Sequence, residues 1–249
     1  MEKVNDYDFF AKKRHYEITN GIKKSIKYVE RPMMISMFPN LKDKNILMLG
    51  CGTGEEKLIL EQYSPKKLVG IDLSKDSIEI AKESYPDCEF YVGNMLKLPF
   101  KNEEFDFIYS SLAISHIEQK DKVFEEIHRV LKPSGKLLFS VGHPLRFSSE
   151  KIEYENGTYR AIGYETKTSN IIGTYMTPTK QVNYFSDNEA LEEYIQPPST
   201  FFQQLIKAGY QVLNFKESTT IEECKDVDID YYNRFHEIPQ FMAFLAEKK

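Results

Sequence analysis

A run of glycines follows an apolar pentapeptide near position 50, and its chemistry is that of a main chain laid open to a ligand. The segment reads Asn45-Ile46-Leu47-Met48-Leu49, then Gly50-Cys51-Gly52-Thr53-Gly54. Glycines there let the chain turn tightly and let a ligand lie against the backbone. Asp72 closes the next apolar segment, 18 residues after Gly54. A carboxylate at that place can accept from both hydroxyls of a ribose. The two features together point to an adenosine-containing ligand at the carboxyl edge of a sheet. A dinucleotide site would want a third glycine at 55, but Glu55 and Glu56 stand there. Two acids in a first helical turn suit the helix dipole and repel a pyrophosphate. An adenosine derivative without phosphates fits better.

Those residues need a sheet to hold them. Lys67 to Asp72, Cys88 to Val92, Phe105 to Ser111 and Lys136 to Gly142 repeat the short apolar pattern. The lack of polar alternation is expected of strands covered on both faces. Glu55 to Tyr63 reads as a helix, and Ser74 caps another through Tyr85. Val123, Phe124, Ile127, Val130 and Leu131 share one helical face, stopped by Pro133-Ser134-Gly135. This alternation predicts an α/β fold with a parallel sheet. Residues 1–44 read as an N-terminal helical cap, with Ile18, Ile22, Ile26 and Val29 at helical steps and Pro32 and Pro39 interrupting. Residues 45–144 are the ligand-binding core. Residues 145–200 lose the rhythm around Asn156-Gly157, a hairpin signal, and read as a lid insertion. Residues 201–249 complete the sheet, with a helix near Ser199 to Ala208 and strands over Tyr210 to Phe215 and Phe241 to Ala246.

Composition narrows the classes. The 249 residues carry 33 Lys+Arg against 38 Asp+Glu, a formal charge of -5. That balance, with six scattered arginines, gives no footprint for nucleic acid. No segment approaches the roughly 20 apolar residues of a membrane span, and the polar start from Met1 to Asp8 is not a signal peptide. Cys51, Cys88 and Cys224 are odd in number and far apart, so neither a disulfide framework nor a metal site is expected. A cytoplasmic setting follows as the expectation.

The segment Ile46 to Gly54, followed by Val69-Gly70-Ile71-Asp72-Leu73-Ser74, resembles the class I S-adenosylmethionine-dependent methyltransferases. Gly93-Asn94-Met95-Leu96-Lys97-Leu98-Pro99-Phe100, Phe105-Asp106-Phe107-Ile108-Tyr109-Ser110-Ser111 and Leu131-Lys132-Pro133-Ser134-Gly135-Lys136-Leu137 agree with it in order. Tyr7-Asp8-Phe9-Phe10, Glu30-Arg31-Pro32 and Ile238-Pro239-Gln240-Phe241 are similar to a bacterial small-molecule-type subgroup. The resemblance implies a Rossmann-like, seven-stranded, mostly parallel sheet with helices on both faces and an antiparallel last strand. It implies S-adenosylmethionine as cofactor, S-adenosylhomocysteine as product and a small-molecule acceptor. Gly50, Cys51, Gly52 and Gly54 would border the methionine part, Asp72 the ribose, and Leu73 the adenine. Asn94 and Met95 would meet the adenine edge, and Ser110 and Ser111 would line the sulfonium region. The family usually carries an acid two residues before the first glycine; here that residue is Met48.

His116, just past the fourth strand, and His143, before Pro144 at the end of the fifth, are the candidates for a general base or substrate contact. Arg14 could reach the cofactor carboxylate if the first helix folds over the site. Small size explains Cys51 better than nucleophilicity does. The core from 46 to 144 holds ten of the 33 aromatic rings, so 23 lie in the flanking segments. Tyr7, Tyr16, Tyr164, Tyr175 and Tyr184 are therefore candidates for the wall of an uncharged, partly apolar acceptor pocket. A non-catalytic cofactor-binding protein, suggested by Met48, and a nucleotide-dependent oxidoreductase, disfavoured by Glu55, are the alternatives.

Overall fold

The computed structural model describes residues 7–147, 149–154, 157–167, 169–186 and 189–249. An N-terminal cap comes first. Helix α1 (Tyr7–Thr19) is followed by a π-turn over Ile26–Glu30 that runs into the short helix α2 (Arg31–Ile35). Pro32 accounts for the irregular turn, because it lacks the N–H that would bond back to Tyr28. The Tyr28 carbonyl accepts from the Ile221 N–H instead, at 3.0 Å.

Strands and helices then alternate: β1 (Asn45–Leu49), α3 (Lys57–Leu60), β2 (Lys67–Asp72), α4 (Lys75–Ser84), β3 (Glu89–Val92), β4 (Phe105–Ser110), α5 (Lys120–Val130) and β5 (Leu131–Gly142). A short helix α6 (Pro144–Phe147) leads into three hairpins. They are β6 (Glu150–Tyr154) with β7 (Gly157–Ala161), β8 (Gly163–Glu165) with β9 (Asn170–Ile172), and β10 (Thr179–Ser186) with β11 (Glu189–Ile195). The chain closes with α7 (Pro198–Lys207), β12 (Tyr210–Glu217), α8 (Ile229–His236) and β13 (Phe241–Lys248).

Seven strands form one sheet in the order β12-β13-β5-β4-β1-β2-β3. Every pairing in it is parallel except the two made by β13. The expected mostly parallel sheet with an antiparallel last strand is the observed one. Its residues alternate between two apolar layers. Leu47 and Leu49 pack in the layer of Phe124 and Ile127 from α5 and Leu205 from α7. Ile46 and Met48 pack in the layer of Met33 and Met34 from α2 and Ile78 from α4. Burial on both faces is why the strands read as unbroken apolar runs.

Local differences have local causes. The helix expected over Glu55 to Tyr63 is regular only in α3; it tightens to a 3₁₀ turn over Glu61–Tyr63 and ends at Ser64, which has φ +54°. Strand β5 begins at Leu131, directly after α5, and absorbs the Pro-Ser-Gly bend with Ser134 at φ +59°. In the first hairpin Tyr154 pairs with Gly157, so Gly157 opens β7, while Asn156 lies outside the described residues. Among the described residues no helix is long and apolar enough to cross a membrane, and no cluster of potential metal ligands occurs.

The chain leaves β1 toward β2 on one side, and β4 lies on the other. The strand order therefore reverses beside β1, and a crevice opens at the carboxyl ends of these strands.

Candidate cofactor site

The crevice is lined by the ends of three strands and the turns after them. Leu49 and Gly50 come from β1, Ile71, Asp72 and Leu73 from β2, and Gly93, Asn94 and Met95 from the turn after β3. Ala113, His116 and Ile117, following β4, form the opposite wall. These residues bound about 480 Å³ of space, part of it open to solvent.

Gly50 shows why only glycine serves at the mouth of β1. Its φ is +68°, and an added Cβ would stand 2.3 Å from the Ala113 Cβ. Any side chain there would push the two walls apart. Gly52 is also left-handed, at φ +52°, and its N–H donates to Asp72 Oδ2 at 2.8 Å. The Ser74 N–H donates to Asp72 Oδ1 at 2.9 Å. Asp72 thus ties the glycine loop to the end of β2. A carboxylate has about four lone-pair sites, so capacity remains for hydroxyl donors. Burial pushes its carboxyl up, and the Ser74 and Gly52 N–H groups and the charge of Arg14 pull it down. Ser74 also caps α4, accepting from the Ser77 N–H at 3.0 Å.

On the apolar floor, Leu73 is 45% exposed and presents its side chain to the crevice. Asn94 closes its own turn, its Oδ1 accepting from the Leu96 N–H at 2.8 Å. Cys51 and Gly54 support the loop from behind. Cys51 packs in the layer of Met48 and Phe90, and burial pushes its thiol well up, so it is a filler and not a nucleophile. A Cβ on Gly54 would collide with the Phe90 ring at 2.9 Å.

Ser110 and Ser111 stand at the end of β4, but their hydroxyls are spent elsewhere. Ser110 Oγ donates to the Leu49 carbonyl at 2.9 Å, stitching β4 to β1. Ser111 Oγ donates to Glu30 Oε1 at 2.9 Å. Neither lines the crevice.

The two candidate histidines part company. His116 lines the crevice. Its Nδ1–H donates to the Glu192 carbonyl of β11 at 2.8 Å, which fixes the tautomer with Nε2 as the basic nitrogen. Burial lowers its pKa, opposed by the charge of Glu193. His143 is fully buried and lies away from the crevice. Its Nδ1 accepts from the Leu145 N–H at 3.2 Å and its Nε2–H donates to Glu217 Oε1 at 2.8 Å. Both ring nitrogens are committed, and burial lowers its pKa.

Two elements pack beside the crevice. Helix α1 lies over the glycine loop: the Arg14 Nε is 3.8 Å from where a Gly52 Cβ would be, and His15 Nδ1–H donates to Glu55 Oε1 at 2.8 Å. Thr53 Oγ1 donates to the same oxygen. The condition set for Arg14, a first helix folded over the site, is met. Glu55 and Glu56 are buried beneath α1 rather than solvated at a helix start. Burial, with the charge of Glu55 second, raises Glu56 to about 7, while Arg14 and Arg31 oppose the shift. The other element is the β10–β11 hairpin. Besides the Glu192–His116 bond, the Tyr194 carbonyl accepts from the buried Lys120 Nζ at 2.9 Å. Burial depresses Lys120 to about 8.

Of the tyrosines, Tyr16 is 61% exposed and Tyr175 lies between β9 and β10, and neither lines the crevice. The side chains of Tyr7, Tyr164 and Tyr184 lie outside the described residues. The sequence reading missed Ala113 and Ile117, whose only signal is their place three and seven residues past the end of β4. It also missed the burial of Glu30, whose signal is a charged residue beside Ile26 and Val29 on an apolar helical face.

Residues 47–139 match a family described as a methyltransferase domain. Along 99% of its length the chain is 26% identical to an uncharacterised protein of Haemophilus influenzae, covering 96% of that protein. Over 70% of the chain it is 27% identical to the ubiquinone/menaquinone biosynthesis C-methyltransferase of Campylobacter jejuni, covering 74% of that enzyme. The crystal structure of a Listeria monocytogenes protein, assigned as an S-adenosylmethionine-dependent methyltransferase, superposes with a TM-score of 0.75 at 24% identity. That match covers 92% of this chain and 99% of the other.

Proposed function

We propose that the chain, whose residues 47–139 match a methyltransferase domain and whose fold is that of S-adenosylmethionine-dependent methyltransferases, methylates a small organic acceptor held between α1 and the β10–β11 hairpin. The enclosure carries this reading. On one side Arg14 lies beside Gly52 and His15 bonds Glu55; on the other, β11 bonds His116 and Lys120 through the Glu192 and Tyr194 carbonyls. A polymer would need an open groove, whereas a small molecule can be engulfed. The 23 aromatic rings outside the core, and the likeness to a quinone-pathway C-methyltransferase, favour an aromatic, largely uncharged acceptor.

The residues of the crevice suit the cofactor. Asp72 holds the ribose hydroxyls, with lone-pair capacity to spare. Leu73, Asn94 and Met95 receive the adenine, and Gly50, Cys51 and Gly52 border the amino-acid part with their backbone. When bound, the cofactor supplies a methyl group made electrophilic by a sulfonium. The chain's part is to hold the acceptor in line and exclude water. His116 is the base for an oxygen or nitrogen acceptor: it lines the crevice, its Nδ1–H is tied to the lid, and burial lowers its pKa. A carbanion-forming phenol would lose its proton to the same histidine.

Calorimetry with S-adenosylhomocysteine tests the cofactor half; saturable binding is expected, and no heat at millimolar ligand would remove the reading. A panel of phenol, quinol, amine and thiol acceptors tests the other half. Binding without turnover on any of them would favour the non-catalytic alternative that Met48 raises.

A further inference from the structure

Strand β1 brings no charge to the glycine loop, because Met48 is buried in the apolar layer with Met33, Met34 and Ile78. Charge arrives from the N-terminal cap instead. Arg14 rests on the backbone of Gly52, half-buried. Among the described residues no hydrogen bond or ion pair of Arg14 is made, and its charge acts on Asp72 at the end of β2. Guanidinium groups so placed are suited to a planar carboxylate.

Across the loop stands Glu30, 1% exposed. Its Oε1 accepts from Ser111 Oγ at 2.9 Å and Ser140 Oγ at 2.6 Å. Ser140 Oγ in turn accepts from the Leu112 N–H at 3.1 Å. Leu112 is left-handed, at φ +54°, a conformation that costs a branched residue free energy and persists only when its surroundings impose it. That turn presses Ala113 against Gly50, the contact that leaves no room for a Cβ. A single buried carboxyl therefore sets the wall facing the glycine loop.

We propose that Arg14 and Glu30 together replace the acid absent at position 48. Arg14 binds the carboxylate of the cofactor's amino-acid end, and Glu30 is a positioning residue that holds the 111–113 turn against which that end lies. The proposal rests on the cofactor reading above and adds to it where the amino-acid end is recognised.

The test compares two ligands by calorimetry. S-Adenosylhomocysteine has the amino-acid end; 5′-methylthioadenosine shares the adenosine and the sulfur but lacks it. Arg14→Gln is expected to weaken S-adenosylhomocysteine by about tenfold or more while methylthioadenosine changes less than about twofold. Arg14→Lys should recover part of the loss. Glu30→Ala is expected to give the same selective loss, and Glu30→Gln, which keeps an acceptor for both serines, should restore most of it. A variant that merely loosened the fold would weaken both ligands alike. Equal weakening of the two, or no change in S-adenosylhomocysteine for Arg14→Gln, overturns the proposal. If the unaltered protein binds neither ligand, the cofactor reading fails and the proposal falls with it. If Glu30→Ala does not fold, the Arg14 pair and Glu30→Gln decide.

Discussion

Asp72 is the residue whose two oxygens serve two masters: Oδ2 accepts from the Gly52 N–H and Oδ1 from the Ser74 N–H, while the carboxylate borders the crevice. Asp72→Ala removes both the ribose acceptors and the tie that shapes the glycine loop. A loss of about 100-fold in S-adenosylhomocysteine affinity is expected, from two charge-assisted hydrogen bonds. Methylthioadenosine, which keeps the ribose, should weaken in parallel, unlike its behaviour in the Arg14 variants. Calorimetry that left methylthioadenosine unaffected would move the ribose away from Asp72. The histidines separate on the same kind of reasoning. His116→Asn is expected to lower turnover of an oxygen or nitrogen acceptor by about 10²–10⁴-fold and to leave cofactor affinity nearly unchanged. In the unaltered enzyme, burial lowers the His116 pKa, so the acidic limb of the rate profile should lie below the ordinary value of 6.5. That limb should vanish in the variant. His143→Asn is expected to lower the melting temperature, since it breaks two bonds in a dry site, without moving the limb.

At the scale of elements, the cap over the glycine loop has a stability signature. Burial raises the Glu56 carboxyl from 4.5 to about 7 in the folded chain. Between these values the unfolded chain has released its proton and the folded one has not, so this group's contribution to stability falls as pH rises through the window. Above it the folded protein bears the full cost of a buried charge. Glu56→Gln should therefore raise stability by about 1–3 kcal/mol at pH 8 and scarcely at pH 4.5, as read by denaturant unfolding at both pH values. An equal gain at both would assign the effect to packing. The elements themselves were unequally legible. Strands β1, β2, β4 and β5 declared themselves because each carries a short run of apolar residues buried on both sides, whereas the edge strand β3 buries only Phe90. Of the three hairpins between 150 and 195 only the first was signalled, by Asn156-Gly157; the other two were not, because their described residues are mostly half-buried or exposed. The nucleotide end of the site followed from Gly50, Gly52 and Asp72, which are close in sequence. The role of Glu30 was hidden because its partners Ser111 and Ser140 are 81 and 110 residues away. The burial of Glu55 and Glu56 was hidden likewise, since it is made by α1 and not by their own helix.

Taken whole, the molecule joins a sheet that is hard to open to covers that are easy to open. The five inner strands, β13, β5, β4, β1 and β2, lie in one hydrogen-bonded sheet between two apolar layers, so their amides should exchange only on global unfolding. The covers are anchored by a few polar contacts around the crevice: His15 on Glu55, His116 on the Glu192 carbonyl, and Lys120 on the Tyr194 carbonyl. Segments held this way open locally at lower free energy than the core. A ligand that binds only the closed form shifts that local equilibrium as well as the global one, by about 2.7 kcal/mol at a hundredfold excess over its dissociation constant. Hydrogen exchange with and without S-adenosylhomocysteine should therefore slow in the glycine loop and residues 93–96. It should slow by a comparable factor over residues 7–19, 110–117 and 189–195, which do not all touch the adenosine. Protection confined to the glycine loop and residues 93–96 would mean that α1 and β11 close independently of the cofactor. Enclosure would then have to come from the acceptor, with the order of binding fixed accordingly.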